Sequence, residues 1–353
     1  MEEALTTSSG ANRRILYFGA NEGTSEHRAN ALRRIGYEVD IVDIWSFLPK
    51  NQLAAQLIGK FIYEGGAEVV ERCIRPLLTR AIPKRRYDIA WVDQGMLLGP
   101  EIVRLIKDSS EIAINYTIDD PFPSKDKTKK CFSPYRKALS IYDMVVVVRA
   151  ENIVEAYEAG ARKVLRVYRS ADEVAHAPLK LTIEDKSRFA SEVSFIGAWM
   201  PERGPFLVRL LELGVPLTIY GESWKNRKEW PILRSVWQGS SQLGVDYVKA
   251  IQCSKICLGL LSKRNRDLHT TRSVEIPFIG TLFCAERTSE HETMYQDGKE
   301  AVFWSTAEEC AEKIFWLLEN EEARLSIAKA GQVRCRKNGF LNEIVVRHIL
   351  DNI

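Results

Sequence analysis

The densest run of chemically capable residues is Lys263-Arg-Asn-Arg-Asp-Leu-His-Thr-Thr-Arg-Ser-Val-Glu-Ile-Pro-Phe-Ile-Gly280. It follows a buried-looking apolar run, Ile256–Leu261, and opens a short helix that Gly280 breaks. Thr270 or Thr271 fits the helix cap, and His269 and Arg272 fall at the same positive end. A helix start with hydroxyls and guanidinium groups offers what a diphosphate needs. Glu275, one turn further in, can accept from two hydroxyls such as those of a ribose. A solvated basic loop with a surface glutamate is the plainer reading of the same residues.

Other candidates are thinner. Asp119 and Asp120 follow an apolar run, and being adjacent they point to different sides of an extended chain. Either can act as a base or cap a helix. The turn Gly19-Ala-Asn-Glu-Gly23 departs from Gly-x-Gly-x-x-Gly, which disfavours a nicotinamide enzyme. Seven scattered cysteines, with only Cys253 and Cys257 one helical turn apart, suit reduced thiols rather than a disulfide framework or a zinc site. Arg75, Arg80, Lys84, Arg85 and Arg86 run beside Ile74, Leu77, Leu78 and Ile82. They read as a solvated face, or as contact with an anionic membrane or a phosphorylated acceptor.

These residues need a scaffold, and the length of 353 residues suggests two domains. The 50 Lys+Arg against 47 Asp+Glu is too even a balance for a nucleic-acid binder. Met1–Asn12 lacks an apolar core, so residues 1–13 are expected to be a disordered tail and no secretory signal, and the chain cytoplasmic. Arg14–Phe18, a glycine turn, a helix from Ala29 to Ile35 and Glu38–Trp45 make a βαβ unit. Strands near Tyr87–Val92, Ile112–Ile118, Met144–Val148 and Lys163–Tyr168 continue it, giving a first domain over 14–170. Polar residues 171–190 read as a linker. A second series covers 191–337, with strands at Val193–Gly197, Leu217–Tyr220, Ile256–Leu261, Thr281–Ala285 and Ala301–Trp304. Residues 338–353 are expected to form a helix packing back towards the first domain. The fold class is α/β, two Rossmann-like parallel-sheet domains facing a cleft.

Arg272-x-x-Glu275-x-x-x-x-Gly280, Asp297-Gly-Lys-Glu300 and Ala328-Lys-Ala-Gly331 resemble the donor domain of GT-B glycosyltransferases, in particular CgeB-like "glycosyl transferases group 1" proteins. Val193–Arg203, Ile219–Trp224 and, more loosely, Tyr116–Pro121 match the same family. The resemblance implies a metal-independent hexosyl- or related transferase without a cofactor, using a UDP-, GDP- or dTDP-linked sugar. Its acceptor would be a glycan, lipid-linked glycan or protein in polysaccharide or glycoconjugate synthesis. It makes Glu275 the ribose ligand, places Arg203 at the diphosphate, and lets Gly197 and Gly221 admit the donor to the backbone. Asp267 stands where retaining relatives carry a glutamate near the donor sugar. Gly19, Asn21, Glu22 and Thr24 fall on a cleft-facing loop. A nucleotide-sugar epimerase, or a non-catalytic sugar-nucleotide-binding or coat-assembly protein, are the alternatives on this fold.

Overall fold

The computed structural model describes residues 13–49, 51–122 and 127–353. The expected tail, Arg13 apart, lies outside them. The chain divides into two units. One runs to Val167 and includes Val346–Ile353; the other is Tyr168–Val345.

In the first unit the strands are β1 (Arg14–Phe18), β2 (Glu38–Val42), β3 (Tyr87–Asp93), β4 (Ser110–Thr117), β5 (Met144–Val147) and β6 (Val164–Arg166). They lie in the order β2-β1-β3-β4-β5-β6, and every pairing is parallel. Helices cover both faces, so central strands are buried throughout: β5 reads Met-Val-Val-Val, all buried. The order reverses between β1 and β3, and an open parallel sheet presents its crevice at that point, beyond the carboxyl ends.

The second unit repeats the logic with β7 (Ser191–Ile196), β8 (Leu217–Tyr220), β9 (Trp237–Gly239), β10 (Ser254–Gly259), β11 (Leu282–Glu286) and β12 (Val302–Trp304). Their order is β12-β11-β10-β7-β8-β9, again all parallel. Its reversal lies between β7 and β10. Each unit is therefore the parallel α/β sheet that the two βαβ series predict.

Several elements escape the sequence reading. Helices Gln52–Phe61 and Ala67–Ala81 fill a stretch left without structure. The polar stretch read as a linker contains the helix Ile183–Phe189, started by a capping box in which Thr182 and Asp185 exchange hydrogen bonds at 3.1 and 3.0 Å. The last helix, Asn342–Asp351, ends in the first unit, where Lys163 Nζ donates to the Asn352 carbonyl. The Ala-x-x-Gly pattern has a steric cause. In the helix Glu321–Lys337, a Cβ on Gly331 would stand 2.2 Å from the Glu300 carbonyl oxygen.

Candidate functional site

The helix Arg272–Ile279 stands after β10, and Ser273 to Ile279 are all buried. Pro277 would interrupt it by removing the N–H that Ser273's carbonyl needs. The Tyr295 hydroxyl supplies that bond instead, at 2.8 Å. Gly280, at φ +107°, ends the helix in the left-handed conformation.

At this helix's first turn four groups converge. Glu275 is 2 % exposed. Its Oε2 accepts from the Tyr247 hydroxyl at 2.6 Å and from Arg272 Nη1 at 2.5 Å. Its Oε1 lies 3.6 Å from His176 Nε2. Burial pushes this carboxyl up, but Arg272, then His176 and the Tyr247 hydroxyl, outweigh burial and hold it below the usual carboxylate range. Glu275 is thus ionised at neutral pH, with both oxygens available only as acceptors. Arg272 stacks over the Tyr247 ring at 4.5 Å and donates from Nε to the Ile196 carbonyl at 3.1 Å, at the end of β7. Its side chain remains 29 % exposed, and Nη2 makes no bond among the described residues. The reversal point of the second sheet therefore carries a fixed guanidinium with one donor edge open.

Arg203 behaves differently. Its Nε and Nη2 donate to the carbonyls of Leu261 and Leu260 at 3.0 and 3.2 Å, and Nη1 to that of Ala198 at 3.0 Å. Each of the three nitrogens thus donates to a carbonyl in the loops after β7 and β10. Burial, helped by nearby Arg272, pushes this guanidinium down to about 10. Arg203, expected at the diphosphate, thus serves loop packing, while Arg272 keeps Nη2 unbonded among the described residues.

Three more expectations change. Thr271 occupies the cap position but its side chain makes no capping bond, and the Thr270 amide donates to Ser273 Oγ at 3.0 Å. Ser273 Oγ thus satisfies the amide just before the helix, and no side chain caps the helix's own first-turn amides among the described residues. His269, expected at the phosphate end, is fully buried. Its Nε2 accepts from the Arg169 amide at 3.1 Å, so Nδ1 carries the proton and donates to Glu290. Asp267 is also buried, paired with Arg169 Nη2 at 2.9 Å. Long-range partners, absent from any local pattern, decided these fates.

His291 completes the support. Its Nδ1 donates to the Glu286 carbonyl at 2.7 Å, and Nε2 accepts from Ser273 Oγ at 2.8 Å. Burial pushes His269 and His291 down to about 4 each, against 6.5 for an unperturbed imidazole. Between those values the unfolded chain binds more protons than the folded one, so stability falls as pH falls through that window. Each imidazole forfeits up to about 3 kcal/mol. Urea unfolding at pH 7 and pH 4.5 is expected to show this loss, and His291→Gln to show a smaller pH dependence than the parent.

The two glycines serve each other. Gly221 has φ +146°, and a Cβ there would lie 2.0 Å from the Gly197 carbonyl oxygen. That oxygen accepts from Trp224 Nε1 at 3.1 Å. Gly221 thus sets the close approach of the loops after β7 and β8.

In the first unit, Gly19 follows β1, with Ser25, Tyr17 and Asp93 packed where a Cβ would go. Asn21 and Glu22 are exposed and Thr24 is half-buried. Asp120 is fully buried, with Lys129 Nζ at 2.5 Å and Asn152 Nδ2 at 3.0 Å on its carboxylate. A carboxylate so committed is a poor base; Asp119 is the half-buried one of the pair. Sequence reasoning missed the buried pair of Arg28 with Asp93, whose two oxygens both lie 2.8 Å from Nη2. The basic run is also uneven. Arg75 bonds Glu71 at 3.0 and 2.8 Å and pairs with Glu101, while Arg85 is taken by Glu38, Asp40 and Tyr87. Among the described residues no group of three or more His, Cys, Asp or Glu could hold a metal ion.

Residues 203–351 match the family model described as glycosyl transferase-like. No curated protein matches the chain. Among solved structures, sucrose-phosphate synthase of Thermosynechococcus elongatus is similar at 11 % identity and TM-score 0.63, covering 97 % of this chain and 98 % of its own. A glycosyltransferase of Rickettsia africae is similar at 13 % identity and TM-score 0.62, covering 96 % and 97 %. HepE of Anabaena, solved with UDP and glucose, is similar at 12 % identity and TM-score 0.60, covering 97 % and 99 %. The fold is GT-B.

Proposed function

We propose that the chain transfers a sugar from a nucleoside-diphosphate donor held by its second unit. The observation that carries this reading is the Arg272–Glu275 pair at the reversal point of the second sheet, with Arg272 Nη2 open. Ribose hydroxyls donate to Glu275; the diphosphate meets Arg272 and the helix start with Thr270 and Thr271. Gly197 and Gly221 keep the adjoining loops close, and Arg203 holds them in place. His269 and Asp267 act from behind, positioning the loop through Glu290 and Arg169 rather than touching the donor. Charge grows on the diphosphate as the glycosidic bond breaks, and a preorganised guanidinium stabilises it without a required metal. The donor is UDP-, GDP- or dTDP-linked, and UDP-glucose is the first probe because HepE has been solved with it.

The acceptor, of carbohydrate type, falls to the first unit, to the loop of Gly19, Asn21, Glu22 and Thr24. Asp119 is the carboxylate we assign to its hydroxyl if the outcome is inverting; Asp120 serves Lys129 instead. Arg272→Lys keeps the charge but loses the planar fork. It is expected to cut single-turnover transfer about a hundredfold while donor affinity changes far less, because the lost contact strengthens in the transition state. Equal losses in binding and turnover would contradict this role. Incubation with donor alone separates the epimerase reading, which alone yields an isomerised sugar nucleotide.

A further inference from the structure

The helix Gln52–Phe61 presents Leu53, Leu57 and Phe61 at i, i+4 and i+8, one stripe of its surface. They are 72 %, 69 % and 47 % exposed. Ile58 faces the other way, packing on the core of the first unit. Tyr63, Val69 and Leu77 are exposed as well, on the following turn and on the helix Ala67–Ala81. Exposed apolar residues in such a series exceed the isolated examples any surface carries. Cations flank them: Lys60, Arg72, Arg80, Lys84 and Arg86 are exposed. Residues 45–86 hold eight Lys and Arg against three Glu. An apolar helix face bordered by cations has the composition of an interfacial helix.

We propose that this face of the first unit docks on an anionic lipid surface, the leucines and Phe61 entering the headgroup boundary and the cations meeting lipid phosphates. Charge decides the occupant: a second copy would bring the same cations against these, whereas anionic lipid neutralises them. The inference is independent of the transfer reaction. Among the described residues no helix is long and apolar enough to cross a membrane.

The test is flotation of the full chain with vesicles of phosphatidylglycerol and phosphatidylcholine in equal parts, and with phosphatidylcholine alone. Binding is expected to the first only, and to weaken as salt rises. Leu53→Glu with Leu57→Glu is expected to abolish it. Arg80→Ser with Lys84→Ser is expected to weaken it about thirtyfold, at the usual contribution per cation. Leu325→Glu with Val333→Glu, exposed apolar residues of the second unit, is expected to leave it unchanged. Thermal unfolding of each variant checks the fold. Absence of binding to the anionic vesicles, equal binding to both, or undiminished binding by the leucine variant would overturn the proposal. So would a dimer by light scattering that the leucine variant converts to monomer.

Discussion

Glu275→Ala is expected to lower the unfolding free energy by about 3–5 kcal/mol, the usual cost of removing one partner of a buried ion pair. Arg272 would lose its carboxylate partner, and the Tyr247 hydroxyl and His176 would face a hole. The same change removes the acceptor assigned to the ribose. Glu275→Gln separates the two effects. It keeps the volume and an acceptor for Tyr247, so it is expected to cost less, about 1–3 kcal/mol. Its donor affinity is nevertheless expected to fall at least about tenfold, the equivalent of one charge-assisted hydrogen bond. Chemical denaturation gives the first quantity for both variants, and calorimetry the second. A fully stable Glu275→Ala protein would mean that the buried cluster is not as described.

Gly221→Ala is the second large effect. A methyl group there would meet the Gly197 carbonyl at 2.0 Å, and the backbone at φ +146° is one that side-chain-bearing residues rarely adopt. Backbone cannot swing aside as a side chain can. Steric overlap in a packed region costs about 1–3 kcal/mol, and the conformational strain adds about 1–2 kcal/mol. The expected result is a loss of about 3 kcal/mol or more in unfolding free energy, with donor affinity weakened as the two loops separate. Serine at the same position is expected to behave no better. A wild-type thermal midpoint for Gly221→Ala would show that the loops tolerate separation.

The sheets were legible because their signals are local. Runs such as Met144–Val148 and Ile256–Leu261 announce buried parallel strands, and Gly280 announces a helix end, whereas the Thr182 capping box sits in a polar stretch that reads as a linker. The helix Gln52–Phe61 was missed because its apolar stripe faces outward. Its Leu53, Leu57 and Phe61 spacing is plain once helical period is sought there, but no polar face alternates with a buried one. In the site, Arg272 and Glu275 were legible as neighbours three apart on one helix. Tyr247 and His176, which hold Glu275 from 28 and 99 positions away, were not. His269, Asp267, Arg203 and Asp120 were noticed for their chemistry. Their partners, Glu290, Arg169, the carbonyls of Ala198, Leu260 and Leu261, and Lys129, are fixed by folding, and those partners decide what each can do.

On the proposed function, the second unit holds a nucleoside-diphosphate sugar against Arg272 and Glu275. The most direct test is calorimetric titration of UDP-, GDP- and dTDP-linked sugars into the full chain and into Glu275→Gln. Saturable binding of one donor class to the parent, weakened at least about tenfold in the variant, is expected. No binding of any of the three, or equal affinity in both proteins, would contradict it.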